Sequence, residues 1–111
     1  MCGIAAIIKK HNTGVNRDEI QRMNDTMVHR GPDADGIFID QNIGLGHRRL
    51  SIVDLSDDGR QPMFSYDKRF VLIFNGEVYN YIELKEELRK EGAVFRTETD
   101  TEVVLEAYRY W

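Results

Sequence analysis

The sequence predicts an α+β layered fold, and three observations carry that reading. Its segments run strand, helix, several strands, helix, strand, helix, an order unlike the strict β–α alternation that builds a parallel sheet. No internal repeat and no low-complexity linker divides the chain. Its 111 residues suffice for one modest core and not for two.

The elements follow from local pattern. Gly3 to Ile8 is short, apolar and ended by His11-Asn12-Thr13-Gly14, as expected of a buried strand. Asn16 is placed as an N-cap with Glu19 three residues on, and Ile20, Met23 and Met27 lie along one helical face until Gly31-Pro32 stops it. Gly36 to Asp40 and Ile43 to His47 are strand candidates joined by a tight turn at Gln41-Asn42. Leu50 to Leu55 is a further apolar stretch before the polar loop Ser56 to Arg60, and Phe70 to Phe74 is the most strand-like segment of all. Asn80 with Glu83 opens a second helix through Tyr81, Leu84 and Leu88, ending at Gly92. Val94-Phe95 is a short strand candidate. Thr99 with Glu102 opens a last helix that reaches Trp111 without a stop signal.

Composition narrows the function classes. With 41% hydrophobic and 31% charged residues the chain is an ordinary globular one. A net charge of -4, with no run of Lys and Arg, argues against a nucleic-acid partner. The longest apolar run, Ile4 to Ile8, is too short to span a bilayer. It also precedes its basic residues, Lys9-Lys10, which is the reverse of a signal peptide, so no membrane partner and a cytoplasmic location are expected. One cysteine cannot form an internal disulfide or build a zinc site. His11, His29 and His47 have no metal-ligand spacing, so no metal is expected. No phosphate-binding glycine loop is present.

Five features carry chemistry. Cys2 follows the initiator Met, and removal of Met1 would leave its thiol beside a free α-amine, a group part-unprotonated near neutral pH. Such an amine can act as the thiol's general base without a histidine. A small inert core cysteine is the alternative. Asn75-Gly76-Glu77 follows the strand at Phe74; it reads either as a hairpin turn or as an oxyanion site built from the Asn75 amide and the Gly76 N–H. His47-Arg48-Arg49 offers Arg side chains at a strand mouth, suited to bidentate carboxylate binding or simply to solvent. Asp100 lies in the first turn of the last helix, where an acid favours the helix dipole and could also hold an ammonium group. His29-Arg30-Gly31-Pro32-Asp33 needs no explanation beyond a helix stop.

Taken together and in order, Met1-Cys2-Gly3-Ile4, His29-Arg30-Gly31-Pro32-Asp33, Gly46-His47-Arg48-Arg49-Leu50-Ser51-Ile52-Val53-Asp54, Phe74-Asn75-Gly76-Glu77-Val78-Tyr79-Asn80 and Thr99-Asp100-Thr101-Glu102 closely resemble the glutaminase domain of glutamine-hydrolysing asparagine synthetases. The resemblance runs from Met1 to Trp111. It implies a class II glutamine amidotransferase, an N-terminal-nucleophile hydrolase with an αββα four-layer sandwich. It makes Cys2 the nucleophile, and Asn75 and Gly76 the oxyanion hole. Arg49 then takes the substrate α-carboxylate and Asp100 its α-amino group, with Leu50, Ser51, Ile52, Val53 and Glu77 completing the glutamine pocket. Glutamine is the implied partner, and its ammonia would supply ATP-dependent synthesis of asparagine from aspartate in a separate synthetase domain.

Two departures qualify that expectation. The family's domain continues through further strands and then into the synthetase domain, so residues 1–111 are expected to be its N-terminal part only. No Ser-Gly-Gly-x-Asp-Ser loop is present, so ATP and Mg are expected only in the missing domain and no cofactor in this chain. Tyr108, Tyr110 and Trp111 crowd an unstopped helix end, and the isolated 111-residue chain is accordingly expected to associate or aggregate; a homodimer is left open. A retained Met1 would also remove the α-amine base. Other readings are an amidotransferase of a sugar or antibiotic pathway, and a truncated, non-catalytic binding module.

Overall fold

A computed structural model describes residues 2–11, 13–50 and 59–111. Strand β1 (Gly3–Ile8) leads to helix α1 (Arg17–Asp25), then to the hairpin β2 (Ala34–Asp40) and β3 (Ile43–Arg49). Short strands β4 (Met63–Phe64) and β5 (Val71–Leu72) follow, then helices α2 (Tyr81–Lys90) and α3 (Asp100–Tyr110). Among the described residues the strands form two antiparallel sheets, one of order β1-β3-β2 and one pairing β4 with β5. This is the expected α+β class, a small mixed domain.

Strand parity sets the two faces of the larger sheet. β3 is central, with Gly46 opposite Ala5 and Ile37, and His47 opposite Ile4 and Gly36. Helix α1 covers the Gly44 and Gly46 face, where the absent side chains let Ile20 and Asn24 approach the strand. Side chains alternate along a strand, so His47 and Arg49 point to the opposite face and Arg48 to the α1 side.

Capping follows the sequence in outline but not in each bond. Asn16 caps α1 by accepting from the Asp18 N–H, while Glu19, instead of closing a capping box, forms an ion pair with Lys9 at 2.9 Å. The helix ends at Asp25, ahead of Gly31-Pro32, so Met27 lies past it and Met23 is partly exposed. Asn80 precedes α2 without a side-chain cap bond. At the other end of α2, Gly92 adopts φ 106° while the Ala93 N–H bonds Leu88 O at 2.9 Å and the Gly92 N–H bonds Arg89 O at 3.0 Å. That is a Schellman stop, which favours glycine. Thr99 caps α3 through the Glu102 N–H.

Two strand expectations need correction. Val94-Phe95 forms no strand: Phe95 packs instead against the core of Leu88, Ala93 and Val103 that joins α2 to α3. Of Phe70 to Phe74, only Val71–Leu72 is in a ladder. Phe70 bonds Ser65 at both its N–H and its carbonyl, and the Phe74 N–H and carbonyl go to the side chains of Gln61 and His47. The Phe70 N–H, taken by the Ser65 hydroxyl, and both peptide groups of Phe74 are engaged by side chains and so cannot extend the ladder. The Leu50 to Leu55 stretch, apart from Leu50 itself, lies outside the described residues.

Candidate active site

One cavity of about 340 Å³ brings together residues from four separate parts of the chain: Cys2, Arg49 with Leu50, Asn75 to Glu77, and Asp100. It falls in the size range of small-molecule sites. Of the expected pocket residues, Ser51, Ile52 and Val53 lie outside the described residues; the rest line this cavity.

Register explains why Cys2 and Arg49 meet. Gly3 is opposite Arg48 in the β1–β3 ladder and packs toward Met27 beside α1. Cys2, one residue earlier, therefore shares the other face with Arg49. The Leu50 N–H points at Cys2 Sγ at 3.3 Å, and the thiol faces Leu50 O at 3.7 Å. Arg48 is directed away: its Nε donates to Gly31 O at 2.9 Å, and its guanidinium lies 3.7 Å from Asp35. Arg49 is buried at the cavity wall. Gly59 packs so closely on its guanidinium and on Thr99 that a Cβ there would collide with both.

Asn75 and Gly76 leave β5 in a loop that α3 holds in place. Asp100, buried in the first turn of α3, accepts the Val78 N–H at 2.9 Å through Oδ2. Glu77 lines the cavity from an exposed position, and Tyr79, 90% exposed, stands at its rim. The turn before α3 is shaped by Glu102. Its buried carboxylate accepts the Arg96 and Thr97 N–H groups at 2.8–3.1 Å and the Thr97 hydroxyl at 2.7 Å.

The helix-stop motif also takes part. Arg30 Nε donates to Cys2 O at 3.1 Å, and the Asp33 N–H donates to Arg49 O at 3.0 Å. A segment that reads as simple punctuation therefore runs beside both Cys2 and Arg49. Sequence reasoning missed Gly59, Gln61, Phe74, Tyr79, Thr99 and Thr101 as cavity residues. Gly59 enters by close approach to Arg49 and Thr99, and Gln61 and Thr101 by a hydrogen bond across the fold, which leaves no local pattern.

His47 lies fully buried beneath the site, with Nε2 3.1 Å from Phe74 O. A carbonyl only accepts, so Nε2 carries the proton, and Nδ1 has no partner among the described residues. Burial pushes the imidazole pKa down, partly offset by the Phe74 carbonyl and reinforced by the Arg49 charge. A neutral ring with a bare Nδ1 satisfies both observations.

The Cys2 thiol, the Asn75-Gly76 loop, the Arg49 guanidinium and the Asp100 carboxylate thus line one cavity. The chain belongs to the glutamine amidotransferase domain family, whose sequence model matches residues 1–111. It is 48% identical, over its whole length, to glutamine-hydrolysing asparagine synthetase 1 of Bacillus subtilis (strain 168), of which it covers 18%. A putative glutamine-hydrolysing asparagine synthetase 2 of Methanocaldococcus jannaschii is 44% identical over 97% of the chain and 24% of the relative. The rice (Oryza sativa subsp. japonica) glutamine-hydrolysing asparagine synthetase 2 is 39% identical over 97% of the chain and 18% of the relative. The chain thus spans from just under a fifth to just under a quarter of the length of these relatives.

Proposed function

We propose that this chain hydrolyses glutamine to glutamate and ammonia through a thioester on Cys2, as the glutaminase part of a longer asparagine-forming enzyme. One observation carries the reading: Cys2, Arg49, Asn75, Gly76 and Asp100, distant in sequence, line a single cavity. With Met1 removed, the Cys2 α-amine takes the thiol proton and sulfur attacks the glutamine carboxamide carbon. A C–S bond forms, and the carbonyl π electrons move to oxygen. The Asn75 amide and the Gly76 N–H are the donors for that oxyanion. The oxyanion then collapses, the C–N bond breaks, and the α-ammonium returns its proton to the departing nitrogen, releasing ammonia. Water, deprotonated by the same amine, attacks the thioester; the C–S bond breaks, giving glutamate and the free thiol.

Arg49 takes the α-carboxylate and Asp100 the α-ammonium. A ligand lacking either charge forgoes one of these charge-assisted contacts, which is the basis of selectivity. The relatives' names support asparagine as the product of the whole protein; ATP and Mg we assign, on the family resemblance alone, to a synthetase domain outside this chain. An N-terminal-nucleophile αββα sandwich, completed by strands outside residues 1–111, is the architecture we assign. The test uses the full-length protein. Cys2→Ala should abolish glutamine hydrolysis and leave ammonia-dependent synthesis intact, and mass spectrometry of active protein should find Cys2 at the amino terminus. Glutamine turnover surviving in Cys2→Ala would end this reading.

A further inference from the structure

The donors at Asn75 and Gly76 must be aimed by something, and the β4–β5 ladder stops two residues short of Phe74. The peptide groups of Phe74 are held instead by two buried side chains. Gln61 Oε1 accepts the Phe74 N–H at 2.6 Å, and His47 Nε2 meets Phe74 O at 3.1 Å. Gln61 is itself anchored, because its Nε2 donates to Thr101 Oγ1 at 3.2 Å. The amide orientation is unambiguous: an N–H only donates, so the atom facing Phe74 must be the oxygen. Thr101 neighbours Asp100, whose Oδ2 holds the Val78 N–H on the far side of Asn75-Gly76-Glu77. The loop is thus fastened to the start of α3 at both ends, through Gln61 before it and Asp100 after it.

We propose that Gln61 is a positioning residue for the oxyanion site: anchored on Thr101 and gripping the Phe74 N–H while His47 takes the Phe74 carbonyl, it sets the direction of the Asn75 amide and the Gly76 N–H. The inference rests on the glutaminase reading. Gln61 acts through the Phe74 peptide and makes no bond to the reacting atoms. Its effect belongs to the tetrahedral state, where negative charge has moved onto the oxygen, and not to the resting amide. Donors misdirected by a fraction of an ångström cost rate without costing glutamine affinity.

The experiment compares tetrahedral and ground-state binding in full-length protein carrying Gln61→Leu. Glutamate γ-semialdehyde adds the Cys2 thiol across its carbonyl, forming a C–S bond and an oxygen that sits where the oxyanion would, with no leaving group. Its affinity should fall about 10–100-fold in Gln61→Leu, and kcat for glutamine hydrolysis by a similar factor. Glutamine affinity, measured by calorimetry with Cys2→Ala also present, should change less than about threefold. Thr101→Val, which leaves Gln61 in place without its anchor, should show the same split at smaller size and carries the test if Gln61→Leu does not fold. Equal losses of both ligands in these variants, or no loss of either, would overturn the positioning role. Unsubstituted protein that fails to turn over glutamine would overturn the glutaminase reading and this inference with it.

Discussion

At the scale of the residue, the choice between Arg48 and Arg49 is decided by one position of register. Arg49 shares a face with Cys2, whereas Arg48 faces Gly31 O and Asp35. Arg49→Lys keeps the charge but loses the planar fork, so KM for glutamine should rise by about tenfold or more with a smaller change in kcat. Arg48→Lys should leave KM nearly unchanged, and steady-state kinetics on the two variants separates them. Asn75→Ala should behave in the opposite sense to Arg49→Lys. Losing a donor that acts on the oxyanion lowers kcat by about 10²–10³, with KM little affected. A change confined to KM would make Asn75 a ligand of resting glutamine instead.

At the scale of the element, the start of α3 carries both Asp100 and the loop contacts, and Glu102 keeps that start in shape. Its carboxylate is almost fully buried and serves the Arg96 and Thr97 N–H groups together with the Thr97 hydroxyl. Glu102→Ala would strand these donors, each costing about 1–3 kcal/mol where water cannot reach. Partial rehydration should limit the total loss to about 3 kcal/mol, visible as a lowered Tm and, through displacement of Asp100, as weaker glutamine binding. The Schellman stop of α2 offers a contrast away from the site. Gly92→Ala places a Cβ at φ 106° and should cost about 1–2 kcal/mol with glutamine kinetics unaltered.

At the scale of the whole molecule, Arg109 in α3 reaches Asp67, in the turn between β4 and β5, at 2.9 Å. The Ser65 hydroxyl bond, the Arg69 N–H and Arg109 draw the Asp67 pKa down from 3.8 to about 2, against a smaller opposing effect of desolvation. A carboxylate with a depressed folded pKa stabilises the fold above its unfolded value, and that contribution is lost as pH falls from near 4 toward 2. Glu106, fully buried one turn before Arg109, has the opposite sign. Desolvation raises its pKa above 4.5, so its contribution is present below that value and fades as pH rises through the raised one. Thermal melts across pH should therefore show Asp67→Asn flattening the acid limb, and Glu106→Gln flattening the limb above pH 4.5. Among the described residues no helix is long and apolar enough to cross a membrane.

Much of this protein was legible in its sequence, because the relevant signals are local. Caps at Asn16 and Thr99, the Gly92 stop, the Gln41-Asn42 turn and the apolar faces of α2 and α3 each depend on residues within one or two turns of each other. The residues we assign as nucleophile, donor pair and charged ligands stand in distinctive runs at Cys2, Arg49, Asn75-Gly76 and Asp100, and the structure gathers them around one cavity. Tertiary structure alone decided the rest. Val94-Phe95 has strand-like residues yet joins the α2–α3 core, and Phe74 leaves its ladder because Gln61 and His47 claim its peptide groups. Gln61 and Thr101 stand 40 residues apart, and Cys2 and Leu50 are separated by 48. Contacts across such separations impose no spacing on the chain, since they depend only on where folding brings two buried polar groups that must satisfy one another.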